Sequence, residues 1–132
     1  MTRHILIRAG AVTATAELNE TATARAIAAA LPVRAEAQTW GDEIYFAIPV
    51  DQPLEADAKE LVQPGDLGYW PTGRAFCIFF GPTPISRGNE IRPASAVNLI
   101  GRVLVDAGVF KQVADGEPVQ IDAIPAGKSR RV

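Results

Sequence analysis

Histidine and cysteine are almost missing from this chain, which carries one of each, His4 and Cys77. A metal centre built from imidazole and thiolate needs three or four such ligands, so that class is set aside. A serine–histidine–carboxylate triad would have to use His4, and no serine stands in a nucleophile elbow. His4 heads the first strand-like segment beside Arg3 and apolar residues, and it reads as a surface or edge histidine. One cysteine cannot form an internal disulfide. Its setting, Phe76-Cys77-Ile78-Phe79-Phe80, is that of a small buried hydrophobe rather than a nucleophile. Glycine-rich nucleotide loops and the HExxH zinc motif are also absent. The net charge of -2 makes no electrostatic case for nucleic acid or an anionic membrane surface. No apolar run is long enough for a membrane span or an export signal. The expectation is a cytoplasmic protein without metal or cofactor and without a nucleic-acid or membrane partner.

What the chain does have is alternation. Its 132 residues suit one domain, and 48% are hydrophobic, enough to bury a core without staples. Strand patterns are expected over Ile5–Ile7, leading into Ala9-Gly10-Ala11, and over Val12–Glu17, Val33–Gln38, Glu43–Ile48, Leu67–Trp70, Arg74–Phe80, Ala96–Val105 and Pro118–Ile124. One helix, capped by Asn19 and starting at Glu20, places Ala24, Ile27, Ala28 and Leu31 on one face and ends at Pro32. A second, short helix is expected near Val109–Ala114. Arg74–Phe80 is the most apolar strand and reads as crossing the interior. The Gly81–Pro93 loop is proline-rich and irregular, and Asp51–Lys59 reads as a surface connection. The fold class expected is mainly β: a closed eight-stranded barrel with one or two short capping helices, a two-sheet sandwich being the alternative. Residues 1–125 form the single domain, and 126–132 make a basic, frayed C-terminal tail.

Aromatic placement carries the functional signal. Trp40, Tyr45, Tyr69 and Trp70 stand at strand ends beside glycines and prolines, where a ring keeps a polar edge available to solvent or ligand. Arg74 follows the Pro71-Thr72-Gly73 turn, and Arg92 ends the proline-rich loop. Asp42 and Glu43 follow Trp40 at a turn, where acids are commonly solvated. If Glu43 instead opens the strand, it shares a face with Tyr45 and both line a groove. Asp66, after Pro64-Gly65, reads as a turn residue.

Three segments, Thr39-Trp40-Gly41-Asp42-Glu43-Ile44-Tyr45-Phe46, Gly65-Asp66-Leu67-Gly68-Tyr69-Trp70-Pro71 continuing through Phe80-Gly81-Pro82-Thr83-Pro84, and Arg92-Pro93-Ala94-Ser95-Ala96-Val97-Asn98-Leu99-Ile100-Gly101, resemble a family of small prokaryotic proteins with an atypical cyclophilin fold and no settled function. The resemblance covers nearly the whole chain. It implies an eight-stranded cyclophilin-like barrel capped by helices, and no activity. Cyclophilins proper are prolyl isomerases that use an arginine, a hydrophobic ring pocket and groove residues. Their arginine segment is most similar to Tyr45-Phe46-Ala47-Ile48-Pro49, which has no arginine. Their glutamine-phenylalanine-phenylalanine segment is similar to Ala75-Phe76-Cys77, and their late histidine falls at Val97. The usual catalytic arginine, glutamine and histidine are thus absent here.

Three functional readings follow. The first is a groove lined by Trp40, Glu43, Tyr45, Phe46, Trp70, Arg74, Phe76 and Arg92 that binds a small molecule or an extended, proline-containing peptide. An anionic small molecule would use the arginines. The second is a prolyl isomerase with a non-standard residue set. The third is a non-catalytic protein whose aromatics bury in a homodimer.

Overall fold

The structure, a computed structural model, describes residues 3–125. The basic tail expected over 126–132 lies outside the described residues. Two strands open the chain, β1 (Arg3–Ala9) and β2 (Val12–Leu18), joined by a two-residue turn. Helix α1 (Ala22–Ala30) follows, then β3 (Val33–Glu36), β4 (Gln38–Thr39) and β5 (Glu43–Ala47). After a long connection come β6 (Asp66–Trp70), a 3-10 turn at Pro71–Gly73, and β7 (Ala75–Phe79). A second long connection leads to β8 (Asn98–Val103), a 3-10 turn at Ala107–Gln112, and β9 (Pro118–Ile124). All pairings are antiparallel, in the order β3-β9-β1-β2-β8-β6-β7-β5-β4.

The sheet therefore has nine strands where eight were expected, and the extra one has a local cause. The segment expected as one strand over Val33–Gln38 changes partners at Ala37. Before it, β3 pairs with β9, and after it β4 pairs with β5, so one stretch of chain supplies both ends of the sheet. Ala37 itself belongs to neither ladder. Its N–H donates to the Glu117 carbonyl (2.8 Å) and its carbonyl accepts from the Gly116 N–H (2.7 Å). The result is a nearly closed barrel with the seam at that residue.

Period-two alternation sends one face of each strand inside. Ile5, Ile7, Ala14, Ala16, Leu18, Ile44, Phe46, Leu67, Tyr69, Phe76, Ile78, Ile100 and Ile121 lie in the barrel core. Helix α1 closes one end with Ala24 and Ile27, both buried. Its cap is Thr21 rather than Asn19: the Thr21 hydroxyl accepts from the Ala24 N–H (3.2 Å). Asn19 stands just before, where its side chain accepts from Thr21 and donates to the Leu99 carbonyl (2.8 Å). Strands β2 and β8 approach so closely at Gly101 that a side-chain carbon there would lie 2.0 Å from the Glu17 carbonyl oxygen. Beside it, the β6–β8 register shifts between Leu67 and Gly68, leaving Ile100 as an extra, inward-facing residue.

Strand β7 is buried along its whole length, for a different reason from the one its composition suggests. Phe76 and Ile78 enter the barrel, but Ala75, Cys77 and Phe79 face out, into a second apolar cluster with Val62, Ile91 and Val97. Two crossing segments cover that outer face, held by isolated bridges at Lys59–Val97 and Val62–Ile91. A strand covered on both faces loses its alternation and reads as a continuous apolar run. Among the described residues no helix is long and apolar enough to cross a membrane.

Candidate functional site

The outer cluster is not completely filled. Between the outer face of β5–β7 and the segment that crosses it lies a cavity of about 240 Å³, lined by Trp40, Glu43, Tyr45, Trp70, Cys77, Pro93, Ala94 and Val97. Its floor follows from strand register. Glu43 pairs with Phe79 and Tyr45 with Cys77, so these side chains share the outer face while Ile44, Phe46, Phe76 and Ile78 point into the barrel. Trp40 comes from the β4–β5 turn, closed by its own N–H on the Glu43 carbonyl (2.9 Å). Gly41 makes that turn possible with φ +61, at a point where a side-chain carbon would lie 2.9 Å from the Pro82 carbonyl oxygen. Trp70 ends β6, and its indole N–H donates to the Ser95 hydroxyl (2.6 Å), which ties one wall to the crossing segment.

The loop that brings Pro93 over the cavity is internally braced. The Thr83 hydroxyl donates to the Arg92 carbonyl, and the Arg92 N–H donates to the Ser86 hydroxyl (3.0 Å). Asp42 holds the loop's start, giving its N–H to the Pro82 carbonyl and accepting from the Phe80 N–H.

Among the described residues one buried side-chain oxygen lacks a hydrogen-bond partner, and it belongs to Glu43. The side chain is 6% exposed, and its Oε1 has no hydrogen bond among the described residues. Burial pushes its carboxyl up to about 7, while a hydrogen bond from the neighbouring Cys77 thiol pulls the other way and leaves Oε1 as the oxygen without a partner. Burial also raises Cys77 well above the ordinary thiol range, and the charge of Glu43 adds to that. Cys77 is thus a protonated, unreactive thiol at the cavity floor.

Of the eight groove residues expected from sequence, the structure brings together Trp40, Glu43, Tyr45 and Trp70. Glu43 stands at the start of the strand and buried, not solvated at the turn. Phe46 and Phe76 are on the other side of the sheet, stacked in the barrel core with ring centroids 5.3 Å apart and planes at 14°. They were expected in the groove because an apolar strand gives no alternation from which to choose its face. Arg74 is 64% exposed in a left-handed turn conformation (φ 48), with Asp51 at 3.7 Å. Arg92 pairs with Glu90 (2.8 Å) and lines a neighbouring shallow depression with Glu60, Ile85 and Pro93–Ala96. Neither arginine lines the cavity. The sequence reading missed Cys77, Pro93, Ala94 and Val97 as lining residues. Cys77 follows Phe76 and Pro93 follows Arg92 in the chain, an indirect signal, whereas Ala94 and Val97 border neither an aromatic residue nor an arginine.

Comparison with known proteins agrees with this architecture. Residues 3–122 match the Cyclophilin-like family. The chain belongs to that family. The solution structure of a hypothetical protein from Archaeoglobus fulgidus superposes with a TM-score of 0.79 at 45% identity, over 92% of this chain and 95% of that one. No curated protein matches the sequence. Within the Cyclophilin-like barrel the cavity is built on the outside of the sheet, on a small core of its own.

Proposed function

We propose that this Cyclophilin-like protein binds a small molecule in the cavity between Trp40, Tyr45 and Trp70. The observation that carries the reading is Glu43, a carboxyl buried on the floor of an apolar cavity with one oxygen unpartnered. Leaving a buried polar atom without a hydrogen bond costs about 1–3 kcal/mol, and the barrel core does not need the group, which faces away from it. A ligand that supplies the missing partner recovers that cost. The walls are preformed, through the Trp70–Ser95 bond and the braced loop, so little ordering is left for binding to do.

Strand connectivity favours a small molecule over an extended peptide. Peptides that add to a sheet need a free edge, and β5 is hydrogen-bonded on both sides, to β7 and, through Ile44 and Tyr45, to β4. Isomerisation is disfavoured by the lining, which holds no arginine to contact a prolyl carbonyl. The test is ligand-observed NMR with a set of aromatic fragments, run on the parent and on Ala94→Trp. Ala94 is exposed at the mouth, so the larger ring obstructs the cavity without entering the core. Fragments should give saturation-transfer signals with the parent and lose them with the variant. Signals of equal strength with Ala94→Trp would place binding elsewhere and end this reading.

A further inference from the structure

We infer that the molecule held in this cavity is a small ammonium ion on a flat apolar body, donating an N–H to Glu43 Oε1 between the aromatic walls. The inference deepens the binding reading above and rests on it. The titratable groups facing the cavity are Glu43 and Tyr45 from β5 and Cys77 from β7. Trp40 from the turn, Trp70 from β6, and Pro93, Ala94 and Val97 from the crossing segment bring none. All three groups lose charge-neutrality only by giving up a proton, so the lining is neutral or negative and never positive. The nearby guanidiniums are engaged elsewhere, Arg92 with Glu90 and Arg74 with Asp51. An anion entering would meet no counter-charge, whereas a cation meets the carboxylate and the electron-rich rings of two tryptophans and a tyrosine. The indole N–H of Trp70 is already given to Ser95, so it does not answer Glu43.

Size narrows the class. A dry cavity of about 150 Å³ accommodates benzene. The 240 Å³ found here leaves room for one ring and a short arm. The carboxyl, raised to about 7 by burial, is held near half ionisation at neutral pH and would be drawn to the charged form by a bound cation.

The experiment follows backbone amide shifts in the full chain on titration with benzylamine, benzyl alcohol and benzoate at pH 6, 7 and 8. Benzylamine stays protonated over this range. Its affinity should exceed that of the isosteric alcohol at pH 8. It should also tighten about tenfold from pH 6 to 8, as Glu43 ionisation rises from about one-tenth to nine-tenths. Benzoate should not bind. Glu43→Gln should keep the alcohol and lose both the preference for the amine and its pH dependence. If that variant fails to fold, the parent's pH profile decides alone. Equal affinities for amine and alcohol, a flat pH profile, or preferred binding of benzoate would overturn the cation assignment while leaving the cavity a binding site. Shifts with none of these three probes, nor with the lysine derivative run alongside them, would overturn both readings. Nα-acetyl-lysine methylamide, run alongside, separates the sources of an ammonium: binding of that compound and not of benzylamine would assign the site to a lysine side chain and overturn the free amine.

Discussion

Glu43 gives the molecule a pH-dependent stability of unusual sign for a carboxylate. Its folded-state value stands raised, from an ordinary 4.5 to about 7, because burial disfavours the charge. The folded chain therefore holds the proton more tightly than the unfolded chain. The contribution is fully present below about pH 4.5, declines as pH rises to 7, and is gone above it. A displacement of this size corresponds to about 3 kcal/mol. Urea unfolding of the parent and of Glu43→Gln, which stays neutral, should show a stability difference that shifts by about that amount in favour of the variant between pH 4 and pH 8. A constant difference across that range would mean that the carboxyl is not buried in its charged form. Cys77 does not complicate the comparison, since burial keeps its thiol protonated throughout.

At the scale of elements, the cavity depends on connections being held at fixed places on the barrel. The 49–59 connection is tied by a buried polar group that no motif announces. Asn98, at the start of β8, donates to the Pro53 carbonyl and the Thr23 hydroxyl (both 3.0 Å) and accepts from the Glu55 N–H (2.8 Å). Glu55 in turn accepts from the Thr23 hydroxyl and N–H in the first turn of α1. Asn98→Ala removes three of these bonds and leaves buried partners unsatisfied. It should cost about 2–3 kcal/mol in denaturant unfolding and speed hydrogen exchange at the Glu55 amide. An unchanged exchange rate there would show that the connection is held by other means. Asn98 was visible in the sequence only as a polar residue inside Val97-Asn98-Leu99-Ile100, with no sign of its partners, which lie 43 to 75 residues away. Strands β1 and β2, by contrast, are legible as a hairpin around Gly10, because they are covered on one face and alternate cleanly. Strands β5 and β7 are covered on both, so the sequence placed Trp40, Tyr45 and Trp70 near a site but could not separate Phe46 and Phe76 from it. The arginines were misread for a related reason: loop paths, not strand register, decide where Arg74 and Arg92 point.

Across the whole molecule, two apolar clusters share strands. Phe76 and Ile78 belong to the barrel core, while Ala75, Cys77 and Phe79 of the same strand belong to the outer one. The outer layer therefore cannot lose its floor while the barrel stands. Thermal unfolding followed by tryptophan fluorescence, which reports only on Trp40 and Trp70 at the cavity, should coincide with unfolding followed by far-ultraviolet circular dichroism, which reports the barrel. A fluorescence transition several degrees below the other would show that the outer layer melts on its own.

The placement of the cavity also bears on how such a protein diversifies. Its floor is the outer face of strands whose inner faces already satisfy the barrel, and its cover is the segment from Pro93 to Val97. Replacing an exposed residue of that cover such as Ala94, unlike Val97, which is buried against β6 and β7, changes the shape and polarity of the chamber without asking the barrel to repack. Descendants of one ancestor can inherit the scaffold unchanged and acquire different chemical tastes, with selection acting on a handful of positions in a single crossing strap.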